Sequence, residues 1–138
     1  MAPLPRRVLI AVTGATAILH GEHKTGLWIN EAMHPYNVFI EAGFEVDLSS
    51  ETGKYHVDWM SEQPGSLEGA DDKEWNDLNS GFRKKIDNMP KAENLDSSKV
   101  GSILSFTGVS LWLIKAKLTL DGYAVRLVFC ERRPRRFD

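Results

Sequence analysis

Apolar positions in this chain fall into short blocks whose period switches between two and three-to-four. Val8 to Thr13 is apolar and rich in β-branched residues, which predicts a buried first strand. A loop containing Gly14 and Gly21 follows. Leu27 to Ala42 then reads as a helix, with Leu27, Glu31, Met33, His34, Val38 and Phe39 near a three-to-four spacing. Pro35 has no N–H to donate and should kink that helix or begin a second one. Gly43 stands where a helix C-terminal cap belongs. From Phe44 to Leu48 the order Phe, Glu, Val, Asp, Leu alternates, predicting a second strand with one wet face or a place at a sheet edge.

Ser49 to Asp72 is polar but punctuated by Tyr55, Trp59 and Met60, too aromatic for a linker, so a packed surface loop is expected. Lys73 to Ile86 carries Trp75, Leu78, Phe82 and Ile86 at helical spacing, and Pro90 stops it. Val100 to Phe106 and Tyr123 to Phe129 predict a third and a fourth strand, with Trp112 to Leu120 between them. The order β-α-β-α-β-(α)-β is that of an α/β protein with a parallel sheet and helical crossovers. No repeat or low-complexity tract interrupts it.

Composition changes this picture in three ways. With 138 residues, 42% hydrophobic and 26% charged, the chain is the size of one ordinary domain and is neither disordered nor collagen-like. No apolar run reaches the roughly 18–20 residues that cross a bilayer. Its single cysteine, Cys130, can form no internal disulfide and no four-thiolate zinc site, which favours a cytoplasmic protein. Arg6 and Arg7 before the apolar stretch to Leu19, with Ala15-Thr16-Ala17 after it, also trace the outline of a secretory signal peptide. Strand propensity and the lone thiol weigh against that outline.

The charge is uneven. Residues 1–98 hold 9 Lys and Arg against 16 Asp and Glu, a net of −7, whereas residues 99–138 hold 8 against 3, a net of +5. The tail Arg132, Arg133, Pro134, Arg135, Arg136 reads as a solvated end, and without interleaved aromatic residues nucleic-acid binding is not expected.

Few constellations carry chemistry. Gly14 and Gly21 are too far apart for a dinucleotide fingerprint, and there is no P-loop. His20, Glu22, His23 and His34 could be drawn around a metal, but adjacent loop positions define no metal site and read better as surface histidines. Glu31 lies on an otherwise apolar helix just after the first strand and its loop, at the carboxyl edge where open parallel sheets bind ligands. A shielded carboxyl there would be raised in pKa and could relay a proton, although a solvent-facing helical glutamate fits the residue pattern slightly better. Cys130 directly follows an apolar strand. It could be a thiolate nucleophile at the same sheet edge or a small buried packing residue, and its neighbours Glu131 and the arginines push its pKa in opposite directions.

Larger blocks point further. Arg7-Val8-Leu9-Ile10-Ala11-Val12-Thr13, Lys24-Thr25-Gly26, Glu31-Ala32-Met33-His34-Pro35-Tyr36-Asn37-Val38-Phe39 and Ala42-Gly43-Phe44-Glu45-Val46-Asp47-Leu48 occur in that order. Ser50-Glu51-Thr52-Gly53-Lys54 and then Asp58 and Trp59 extend the series. In these blocks residues 1 to about 98 resemble the N-terminal part of the DJ-1/PfpI superfamily, in its fungal heat-shock-protein-31-like, glutathione-independent glyoxalase branch.

The resemblance implies a flavodoxin-like (class I glutamine amidotransferase-like) sandwich, incomplete here, that converts methylglyoxal to D-lactate with no cofactor and no metal. In the family a cysteine nucleophile, a neighbouring histidine and a glutamate from the first crossover helix do the work. The glutamate maps onto Glu31 and the cysteine onto Cys130. Homodimers are a family habit. A non-catalytic, holdase-like stress-response protein is the alternative the branch also suggests.

Residues 99–138 depart from the pattern. Ser105-Phe106-Thr107-Gly108-Val109 stands where the family has Ala-Gly-His-Gly, and Cys130 is followed by Glu131-Arg132-Arg133-Pro134 rather than His-Gly-Pro. The match fails where the net charge flips, which points to an altered reading frame, exon or gene model after Ser98. Without the histidine, reduced or absent turnover is expected of this chain.

Overall fold

Arg7–Ala11 (β1) is buried along nearly its whole length, with Val8, Leu9, Ile10 and Ala11 at most 1% exposed. A strand with no wet edge needs partners on both sides. The computed structural model describes residues 6–18, 21–99, 102–105 and 127–129 and supplies both. In chain order the remaining elements are β2 (Ala17–Ile18), β3 (Lys24–Thr25), α1 (Ile29–Glu41), β4 (Glu45–Ser49), α2 (Ala70–Asn76), α3 (Gly81–Asp87), β5 (Ser102–Ser105) and β6 (Leu127–Phe129). Three single 3₁₀ turns, at Trp59–Glu62, Ala92–Asn94 and Ser97–Lys99, join them.

The main sheet is parallel throughout, in the order β4-β1-β5-β6. This is the flavodoxin-like order, with the second main strand on one side of the first and the third on the other. The fold is therefore α/β with a parallel sheet, as the alternation of elements implied. The sheet also runs across the charge boundary, since Ala11 pairs with Ser105 as well as Ser49. The predicted helix from Trp112 to Leu120 lies outside the described residues.

One face of the sheet carries the core. Val8, Ile10, Val46 and Leu48 pack with Ile29, Ala32, Met33 and Tyr36 of α1 and with Trp75, Phe82 and Ile86 from α2 and α3. α1 runs unbroken through Pro35 rather than restarting there. It ends as expected at Gly43, whose φ of +78° suits glycine and lets Phe44 N–H reach back to the Phe39 carbonyl at 2.9 Å.

Two expectations are corrected. The loop holding Gly14 and Gly21 contains the antiparallel pair β2–β3, too short to leave a periodic trace. The helix expected from Lys73 to Ile86 is two helices. Asp77 adopts an extended conformation, and its carboxylate accepts from Asn79 N–H at 2.9 Å. Ser80 then caps α3 by accepting from Arg83 N–H at 3.1 Å. Asp, Asn and Ser side chains here compete with the helical backbone and win. Leu78, at core spacing for one helix, is 66% exposed as a result.

At the β4 edge, Asp47 ties three elements together. It accepts from Arg7 Nε of β1 and from Lys85 Nζ of α3, the latter at 3.0 Å. Partial burial alone would raise the Asp47 pKa, but the hydrogen bonds from Arg7 and Lys85 outweigh it and hold the carboxyl below its usual range. A depressed folded pKa contributes stability that is present above the ordinary carboxylate range and is lost as pH falls through the folded value. Asp47→Asn is therefore expected to flatten the acid limb of a urea-midpoint profile between about pH 5 and pH 2. An unchanged limb would show that the contact contributes nothing.

Candidate active site

Trp28, at the N-cap position of α1, offers no side-chain cap, so the free N–H groups of the first turn must be satisfied from elsewhere. The hydroxyl of Ser61, 1% exposed, accepts from Ile29 N–H at 2.8 Å. Asn30 Nδ2 donates to the Ser66 carbonyl at 3.0 Å, and Glu31 N–H donates to the Trp28 carbonyl at 3.1 Å. Just upstream, Leu27 bridges Val57: Leu27 N–H donates to the His56 carbonyl at 2.6 Å and Asp58 N–H to the Leu27 carbonyl at 2.9 Å. Gly26 permits this approach, because a Cβ there would collide with the His56 carbonyl.

Asp58 fastens the arrangement. Its Oδ2 accepts from the Thr25 hydroxyl at 2.9 Å and from Gly26 N–H at 3.3 Å, while Oδ1 accepts from Met60 N–H at 3.0 Å. Glu31, third residue of α1 and half-buried, is thus presented by a first turn braced from residues 58–66. An acidic side chain in that turn also has a favourable interaction with the helix dipole.

The loop after β1 shares this side of the sheet. Val12 N–H donates to the Ser49 carbonyl at 2.9 Å, and Gly14 N–H donates to Glu51 Oε2 at 2.8 Å. Register places Phe129 opposite Ser105 and Ser105 opposite Ala11, so β6 ends on the same edge as β1. Cys130 follows Phe129 in the sequence and lies outside the described residues, as do His20 and the arginines from Arg132 to Arg136. The remaining histidines of the imagined metal cluster have separate partners. His23 stacks on Trp59 with ring centroids 3.7 Å apart, and His34 Nε2 meets Asp71 Oδ2 at 2.7 Å. Among the described residues no group of three His, Cys, Asp or Glu side chains is placed to hold a metal.

No profile of a known protein family matches the chain. The glutathione-independent glyoxalase HSP31 of Saccharomyces cerevisiae is 36% identical over 99 residues, 70% of this chain and 42% of that protein. Glyoxalase 3 of Candida albicans is 37% identical over 91 residues, 65% of this chain and 39% of that protein. The crystal structure of glyoxalase III from Candida albicans superposes with a TM-score of 0.74 at 29% identity, covering 88% of this chain and 55% of that one. Over 65–70% of its length the chain matches the heat-shock-protein-31-like, glutathione-independent glyoxalases, and its fold is consistent with the DJ-1/PfpI superfamily.

It spans less than half the length of these curated relatives. The structure of the Francisella tularensis rapid encystment protein, with a TM-score of 0.62 at 18% identity, shares the fold. Within this family frame, Glu31 is the predicted site residue that the structure places, and its supports are what sequence reasoning missed. Asp58 was legible only as part of a matching block. Glu51 likewise belongs to a matching block, whereas Ser61 gives no signal, because it acts on a backbone N–H 32 residues away in the chain.

Proposed function

We propose that this chain carries out glutathione-independent glyoxalase chemistry, converting methylglyoxal to D-lactate with Cys130 as nucleophile and Glu31 as acid/base. The observation that carries the reading is the position of Glu31. It stands in the braced first turn of α1, on the family's Glu-Ala-x-His-Pro block, at the carboxyl edge of the sheet.

The chemistry balances without an external oxidant. The Cys130 thiolate adds to the aldehyde carbon, and the resulting alkoxide takes a proton to give a hemithioacetal. Glu31 as carboxylate removes the proton from that carbon to form an enediol, then as carboxylic acid returns a proton to the neighbouring carbon. The aldehyde carbon is oxidised to the acyl level while the ketone carbon is reduced to an alcohol, leaving a thioester. Water hydrolyses the thioester, releasing lactate and the free thiol.

The histidine that follows the cysteine in the family is replaced by Glu131, so no imidazole follows the thiol in the sequence to take its proton. Turnover below that of a Cys-His relative is the expected consequence. The reading is of a cytoplasmic enzyme acting on a small aldehyde, without cofactor, metal, nucleic acid or membrane. Among the described residues no helix is long and apolar enough to cross a membrane. Incubation with methylglyoxal in the absence of any added thiol should yield D-lactate, detected with a D-specific oxidation assay, and Cys130→Ala should abolish it. D-lactate at the buffer rate from the unaltered chain would refute the proposal.

A further inference from the structure

The first turn of α1 has no side-chain cap at Trp28, and the segment from Asp58 to Ser66 braces it. Asp58 acts on that turn by two indirect routes. Through Oδ2 it holds Thr25 and Gly26, the residues that lead the chain into α1. Through Oδ1 it holds Met60 N–H and so caps the 3₁₀ turn Trp59–Glu62, which carries Ser61. Ser61 then closes on Ile29 N–H, two residues before Glu31. The segment is stapled to itself as well, since the Ser66 hydroxyl donates to the Met60 carbonyl at 2.6 Å and Gln63 Nε2 to the Trp59 carbonyl at 2.9 Å.

We propose that Asp58, acting through Ser61, is a positioning residue that fixes where Glu31 stands at the carboxyl edge of the sheet. This rests on the reading of Glu31 as the acid/base. A first turn that frays no longer fixes the direction in which its side chains project, and proton transfer needs that direction held closely. The backbone bridge between Leu27 and Val57 holds the approach to the helix but not the first turn itself. Asp58→Asn keeps the shape yet turns an NH₂ group toward an N–H donor, and Ser61→Ala leaves Ile29 N–H without its acceptor.

The test separates positioning from mere stability. The Glu31 side-chain carboxyl is followed by ¹³C NMR through a pH titration, its resonance assigned by its loss in Glu31→Gln. Asp58→Asn and the milder Ser61→Ala are compared with Ser80→Ala, which removes the cap of α3 instead. A shift of about 0.5 pH unit or more in the Glu31 midpoint for the first two, and none for Ser80→Ala, is expected. An unmoved midpoint in Ser61→Ala, or the same movement in Ser80→Ala, overturns the proposal. Turnover of methylglyoxal is recorded separately. Its retention by Glu31→Gln speaks against the acid/base reading of Glu31 and leaves the positioning result to stand or fall on the titration.

Discussion

Phe82→Ala is expected to destabilise the fold by about 3–5 kcal/mol, the usual range for emptying a large aromatic site in a packed core. Phe82 is fully buried on α3. Its ring meets Tyr36 of α1 edge-on, with centroids 5.5 Å apart, and Trp75 of α2 at 6.4 Å. It is therefore the side chain on which the three helices converge over the sheet. The site has little room to collapse, because α3 and α1 are already close. A Cβ added at Gly81 would lie 2.8 Å from the Tyr36 hydroxyl. With an m-value of roughly 1–3 kcal/mol/M, the urea midpoint should fall by about 2 M while m is kept. Against a typical stability of about 5–15 kcal/mol, that is a large fraction of the total. Leu78→Ala is the control. As an exposed residue in the break between α2 and α3 it should change stability by about 0.5 kcal/mol or less. If Leu78→Ala proved as damaging as Phe82→Ala, the split of the helix would be wrong.

That contrast shows where the pattern of apolar residues is a sufficient guide and where it is not. Trp75, Phe82 and Ile86 stand at helical spacing in the sequence and are buried in the fold, because burial sets their spacing. The continuity of the helix was misread, because its break is made by the short polar side chains of Asp77 and Ser80 bonding to nearby N–H groups. Gly43 was legible for the opposite reason, since a left-handed helix end selects glycine directly. The strands β1 and β4 were legible through β-branched content and alternation, and their pairing through the α/β order. β2 and β3, at two residues each, fall below any period.

The candidate site divides in the same way. Glu31 could be named because a carboxylate on an apolar helix face breaks a pattern, and because its neighbours form a recognisable block. Its supports could not, because hydrogen bonds between segments some 32 residues apart leave no periodic mark. The metal reading of the histidines shows the converse. Proximity in sequence placed His23 and Glu22 beside each other, while the fold sends His23 onto Trp59 and His34 to Asp71.

Glu31→Gln should lower D-lactate formation by about 10²–10⁴-fold, the range a positioned general acid/base contributes. The substitution keeps the size and a hydrogen-bonding end but removes the group that exchanges a proton. Loss of the favourable charge near the α1 N-terminus should change stability by only about 0.3–1 kcal/mol, so inactivity will not be a folding artefact. The block is also expected at one particular step. Thiolate addition to the aldehyde needs Cys130 and not Glu31, so the Glu31→Gln protein should accumulate an intact-mass species heavier by one methylglyoxal, and Cys130→Ala should show none. In heavy water the unaltered chain should place deuterium on the alcohol carbon of the product, because the returning proton comes from an exchangeable carboxyl. Glu31→Asp, which keeps the acid on a shorter arm, should recover part of the rate without accumulating the adduct. If Glu31→Gln instead turns over within a few-fold of the unaltered chain, the proton is moved by another group. The first turn of α1 would then be a structural feature of the family rather than its catalytic one.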